Sequence, residues 1–129
     1  MIFYVALGSA LGGVSRYLIG SGVQRLFAMS FPTGTLFVNI SGSFLLGVIV
    51  RYAMETPGLT PELRALLTVG FCGGYTTFSA FTYETLVLLE RDEWRHAVFY
   101  VTISVLLSIA ALFLGLALTR EVLTWRTRG

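Results

Sequence analysis

Charged residues are absent from long stretches of this chain, and these stretches have the length of a helix that crosses a membrane. A hydrocarbon layer about 30 Å thick is crossed by about 20 helical residues. Four stretches meet that length: residues 2–22, interrupted by Arg16; 31–50, with no charge; 63–89, with Glu84 inside; and 97–119, again uncharged. Polar and helix-breaking residues collect between them, at Gln24-Arg25, at Glu55-Thr-Pro-Gly-Leu-Thr-Pro-Glu62 and at Glu90-Arg-Asp-Glu-Trp-Arg95. Thr60 is placed to cap the third helix, with Pro61 in its first turn. The pattern predicts an all-α integral membrane protein, with residues 1–129 forming one domain of four transmembrane helices. The opening Met-Ile-Phe-Tyr has no basic region before the apolar run, so the first stretch is expected to be a retained helix.

Composition agrees with lipid as the solvent. Hydrophobic residues make up 55% and charged residues 12%, against about 25% charge in soluble domains. The formal charge of +2 raises the question of nucleic acid, but there is no lysine and the nine arginines are scattered, so no nucleic-acid partner is expected. A nucleotide is not expected either: a phosphate-binding loop of the Walker type needs a lysine, and no Gly-x-Gly-x-x-Gly follows a strand. No His/Glu pair has metalloprotease spacing, so the chain reads as a non-enzyme. Cys72 is the single cysteine and His96 the single histidine, which leaves no disulfide and no zinc cluster; Cys72 reads as a small packed residue.

Lys and Arg excess on the cytoplasmic side ordinarily sets orientation. In a four-span arrangement Arg51, Arg64, Arg120, Arg126 and Arg128 fall on one side, and Arg25, Arg91 and Arg95 on the other with Arg16 nearest them. So small a bias lets a chain insert both ways up, and opposite copies could pair antiparallel. A single orientation set by the C-terminal arginines is the alternative.

Polar residues inside apolar helices are costly and are functional candidates for that reason. They are densest in the third stretch, Gly70-Phe-Cys-Gly-Gly-Tyr-Thr-Thr-Phe-Ser-Ala-Phe-Thr-Tyr-Glu84. Gly73 and Gly74 followed by Thr76 and Thr77 make a poor continuous helix, and a break would leave backbone carbonyls in need of protein, water or a cation. Equally, Gly70, Gly73 and Gly74 could serve only to bring helices close. Gly8-x-x-x-Gly12 reads as close packing. Phe78 and Phe81 share a helical face, and aromatic rings have electropositive edges that attract anions without trapping them; packing or lipid contact is the plainer role. Tyr100, Ser104 and Ser108 recur every four residues as a stripe of hydroxyls, which could replace water around an anion or bond back to their own helix. The Asn39 amide can donate to an anion or hold helices together. Arg16 and Glu84 could pair, or Arg16 could sit at a pore mouth. Trp94 and His96 read as interface anchors.

Taken together, these residues resemble the Fluc fluoride channels, also called CrcB proteins. The features that carry the resemblance are Gly12-Gly-Val-Ser-Arg16-Tyr, Gly34-Thr-Leu-Phe-Val-Asn39, Gly70 to Phe81 with Glu84, and Tyr100, Ser104 and Ser108, so it spans nearly the whole chain. It implies a passive fluoride-specific channel that lowers cytoplasmic fluoride, in a bacterial inner membrane, built as an antiparallel dual-topology homodimer with a broken third helix. It further implies a structural, non-transported Na⁺ at the dimer centre, held by the carbonyls of Gly73 and Thr76 of both subunits. Phe78, Phe81, Asn39, Tyr100, Ser104, Ser108 and Arg16 would belong to the ion pathway. One departure is Ala80, where family members often carry threonine.

Two rival functions stay open on sequence. A small proton-coupled multidrug exporter also has four spans, but it needs a membrane carboxylate in the first helix, where this chain has Arg16. A non-transporting membrane subunit is the other.

Overall fold

The computed structural model describes all 129 residues and contains helices and no strands. Helix α1 is Ile2–Phe27 and α2 is Thr33–Glu55. A third helical stretch, α3, covers residues 61–75: it opens as Pro61–Ala65, widens into π-type turns over Leu66–Cys72, and closes with one turn, Gly73–Tyr75. Then come α4, Phe78–Glu90, and α5, Trp94–Arg128. Three of these, α1, α2 and α5, are long and apolar enough to cross a membrane. At 1.5 Å per residue α3 and α4 reach only about 20 Å each, so neither crosses about 30 Å of hydrocarbon alone.

The long helices run past the apolar stretches that announce them. Hydrocarbon thickness limits a span, whereas a helix ends where its terminal backbone groups find other partners. Beyond residue 50 the Arg51–Glu55 pair, at 3.2 Å and one turn apart, carries α2 further. At the start of α3, Thr60 accepts from the Leu63 N–H at 3.2 Å and Pro61 occupies the first position, as its sequence predicts. A tie to α2 is added by Arg64, which donates to the Ala53 carbonyl at 3.1 Å.

Glycines decide how closely the helices approach. The buried residues of α1 are Gly8 and Gly12, and a Cβ on either would strike the carbonyl of Leu66 or of Phe71 in α3. The reading of this pair as close packing therefore holds. From the other side, a Cβ on Gly70 would lie 2.9 Å from the Val5 carbonyl oxygen and one on Gly74 2.6 Å from that of Ser9. In the same way Gly47 of α2 faces the Leu112 carbonyl and Gly115 of α5 faces that of Phe44. Backbone meets backbone at these crossings, the packing that suits helices in lipid, where apolar side chains gain nothing by leaving their solvent.

Only 19 of the 129 residues are buried, while Leu18, Leu106 and Phe113 are among many large apolar side chains left exposed. An apolar surface of that extent belongs in hydrocarbon. The small side-chain core is Phe81, Leu88, Ala97 and Tyr100, joining α4 to α5, with Phe31 packed edge-on to Tyr100 at 5.4 Å.

Candidate functional site

Between α3 and α4 the backbone leaves the helix for two residues. Thr76 (φ −82°, ψ 159°) and Thr77 (φ −150°, ψ 114°) are extended, and Thr77 caps α4 by accepting from the Ala80 N–H at 3.2 Å. Two β-branched residues prefer this conformation, and the cap gives α4 its own start. In an uninterrupted α-helix the N–H of Thr77 would reach the Gly73 carbonyl and that of Ala80 the Thr76 carbonyl. Both donors are diverted: Thr77 N–H goes to Asn39 Oδ1 at 2.7 Å, and Ala80 N–H goes to Thr77 Oγ1. Asn39 completes the pair by donating from Nδ2 to the Thr77 carbonyl at 3.1 Å. One side chain of α2 thus pairs with both backbone groups of Thr77.

The interruption opens on a cavity of about 400 Å³ whose lining includes Asn39, Ser43, Cys72, Gly73, Thr76, Thr77, Phe78, Phe81, Ser104 and Ser108. Here the glycines separate: Gly70 and Gly74 are pressed on α1, whereas a Cβ on Gly73 would meet nothing nearer than the Thr68 carbonyl oxygen at 4.0 Å. Phe81 is buried and Phe78 exposed, with ring centroids 5.6 Å apart and planes tilted by 45°. Ser104 Oγ is buried and has no hydrogen-bond partner. Ser43, Thr85 and Thr102 each donate to the carbonyl four residues earlier in their helices; Ser104 does not. Ser104, unlike Ser43 on the same cavity, therefore keeps its donor free.

Tyr100 lies outside this cavity. It is fully buried, and its hydroxyl donates to Glu84 Oε2 at 2.7 Å while Thr35 Oγ1 donates to Glu84 Oε1 at 2.6 Å. Of the two sequence readings of Arg16 and Glu84, the ion pair is not formed; the carboxyl is held by hydroxyls from α2 and α5 instead. Arg16 lines a second cavity of about 560 Å³, together with Arg25, Thr35, Thr77 and Glu84. Thr77 borders both cavities, so the interruption is the wall between them.

The sequence reading placed Thr77 at the weak point of the third stretch and Gln24 in the first loop, but it did not identify Thr77 as a cap or as the partner of Asn39, and it assigned no role to Thr35. Gln24 of α1 donates to the carbonyls of Met29 and Phe31 and accepts from the Gly34 N–H at 3.1 Å, so it closes the first loop and caps α2. Only for Thr77 was a local signal available, since a threonine after two glycines and before an apolar run is a helix start.

The family described as CrcB-like protein, Camphor Resistance (CrcB), matches residues 3–116. Curated relatives carrying the name fluoride-specific ion channel FluC include one from Rhizobium meliloti, 46% identical over 94% of this chain and 97% of the relative. Another, from Hahella chejuensis, is 48% identical over 95% and 96% of the two chains, and one from Geobacter sulfurreducens is 44% identical over 94% and 98%. With the family match over most of its length and near full-length identity of this order, the chain belongs to the CrcB-like family.

Proposed function

We propose that the chain is a passive, fluoride-selective channel of a bacterial membrane and not an enzyme, working as an antiparallel homodimer. In this reading α3 and α4 together make a fourth span, broken at Thr76 and Thr77. Joined, they cover roughly 30 residues, ample for about 30 Å of hydrocarbon. The names of the relatives support the fluoride assignment.

The single observation that carries the reading is Ser104 Oγ, buried and unpartnered on a cavity shared with Phe78, Phe81 and Asn39. A buried hydroxyl without a partner costs about 1–3 kcal/mol, so its retention points to a ligand that accepts its hydrogen. Fluoride is such a ligand. It is small and strongly hydrated, and a path for it must replace water with donors at each step yet hold it loosely enough for exit. Asn39 has one N–H left after pairing with Thr77, Ser104 and Ser108 add hydroxyls, and the Phe78 and Phe81 ring edges add partial positive charge. Arg16 and Arg25 on the second cavity would concentrate anions before the wall at Thr77. Tyr100 would act from behind, by fixing Glu84. Flow follows the electrochemical gradient and sheds fluoride from the cytoplasm.

A structural Na⁺ fits the interruption. Gly73 and Thr76 are among the residues whose carbonyls lose their helical donors at the break, and carbonyl oxygens suit a small monovalent cation. Two antiparallel copies would bring four such carbonyls to one axis, which supplies charge stabilisation where the backbones meet. The small arginine bias agrees with dual topology.

The test is anion efflux from liposomes that carry only this protein, without ATP or a proton gradient. Fluoride release with chloride retained supports the proposal; retention of both anions refutes it, and release of both removes the selectivity.

A further inference from the structure

Two residues of extended backbone, Thr76 at ψ 159° and Thr77 at φ −150° and ψ 114°, turn the Thr77 N–H away from the Gly73 carbonyl that it would reach in a continuous helix. What holds it away is one side chain. Asn39 Oδ1 accepts from Thr77 N–H at 2.7 Å and Asn39 Nδ2 donates to the Thr77 carbonyl at 3.1 Å, a two-bond clamp of the kind one strand makes on another. Asn39 is itself held in α2, where its carbonyl accepts from Ser43 Oγ at 2.7 Å and the neighbouring Val38 is 1% exposed. The clamp therefore rests on a rigid element.

We propose that Asn39 is a positioning residue for cation binding: by clamping Thr77 it keeps the Gly73 carbonyl free to ligate a monovalent cation. This rests on the cation reading given above and assigns to Asn39 a second role beside that of an anion donor. The clamp leaves Asn39 one N–H for the cavity, so one side chain links the cation-holding backbone to the anion path.

The two roles separate by substitution. Asn39→Leu keeps the branched shape of the side chain but removes the acceptor, so Thr77 N–H loses the partner that holds it from the Gly73 carbonyl. Asn39→Asp keeps an acceptor oxygen for the Thr77 N–H in either protonation state and loses both amide N–H groups, the one on the Thr77 carbonyl and the one that faces the anion.

The experiment measures the thermal midpoint of purified full-length protein by tryptophan fluorescence, at increasing Na⁺ against N-methylglucamine at constant ionic strength. Fluoride efflux is followed in parallel. Wild type and Asn39→Asp are expected to be stabilised by Na⁺ with similar midpoints, although Asn39→Asp has lost flux. In Asn39→Leu the Na⁺ needed is expected to rise by about tenfold or more, the effect of losing one net hydrogen bond's worth of preorganisation. A Na⁺ response in Asn39→Leu equal to that of wild type overturns the positioning role while leaving the cation reading intact. No response in wild type overturns the cation reading itself. Should Asn39→Leu fail to fold, the smaller Asn39→Ala, which also removes the acceptor, decides: a Na⁺ midpoint raised about tenfold supports the clamp, and one equal to that of wild type contradicts it.

Discussion

The hydroxyl of Tyr100 donates to Glu84 Oε2 at 2.7 Å, and this bond joins the second turn of α5 to the centre of α4. Thr35 of α2 holds the other carboxyl oxygen at 2.6 Å, so one side chain ties three helices. In a chain with few buried side chains such a junction carries much of the fixed arrangement.

Tyr100→Phe and Thr35→Val are each expected to destabilise the protein by about 1–3 kcal/mol, the cost of removing a partner from a partly buried carboxyl. Because both act on Glu84, the double variant should lose a different amount from the sum of the two. Unfolding of the single and double variants in one detergent, analysed as a cycle, measures this. Strict additivity would show that the two bonds are independent.

Ser104→Ala separates stability from function. The hydroxyl has no partner to lose, so the variant should be as stable as wild type or slightly more stable. Fluoride flux should fall by at least about tenfold, the effect of about 1.4 kcal/mol on a barrier. Thermal midpoint and electrode trace on the same preparation check both; a large fall in stability with flux unchanged would assign the serine to packing.

Close approach of helices predicts a contrast among glycines. Gly47→Ala and Gly115→Ala place a methyl against the Leu112 and Phe44 carbonyls, so α2 and α5 must separate along their crossing. Overpacking of this kind costs about 1–3 kcal/mol or more. Gly58 has open space around it and no positive φ, so Gly58→Ala should be close to neutral. Size-exclusion recovery after a temperature series ranks the three.

The apolar stretches, the start of α3 at Thr60 and Pro61, and a weak point near Gly73 and Thr76 were all legible in the chain. They depend on residues close in sequence: runs of uncharged side chains, a cap with its proline, and poor helix formers side by side. Both readings of the third-stretch glycines turn out to apply, to different residues, since Gly70 and Gly74 pack on α1 while Gly73 borders the cavity. Partners across helices were not legible. That Glu84 takes Thr35 and Tyr100 and leaves Arg16 unpaired with it, and that Asn39 takes Thr77, depends on helix rotation and relative height. The wide turns at Leu66–Cys72 alter that rotation by a fraction of a turn. A local reading cannot supply such an offset, and Tyr100 accordingly leaves the stripe expected of it and joins the core.

The most direct test of the ion path is fluoride-electrode recording on liposomes holding equal amounts of wild type and Phe81→Ile. Phe81 is the buried ring between the cavity and Tyr100, and isoleucine keeps the site apolar while removing the electropositive ring edge. Fluoride release by wild type, its abolition in Phe81→Ile, and the same size-exclusion profile for both proteins are expected. Equal release by the two would contradict the account.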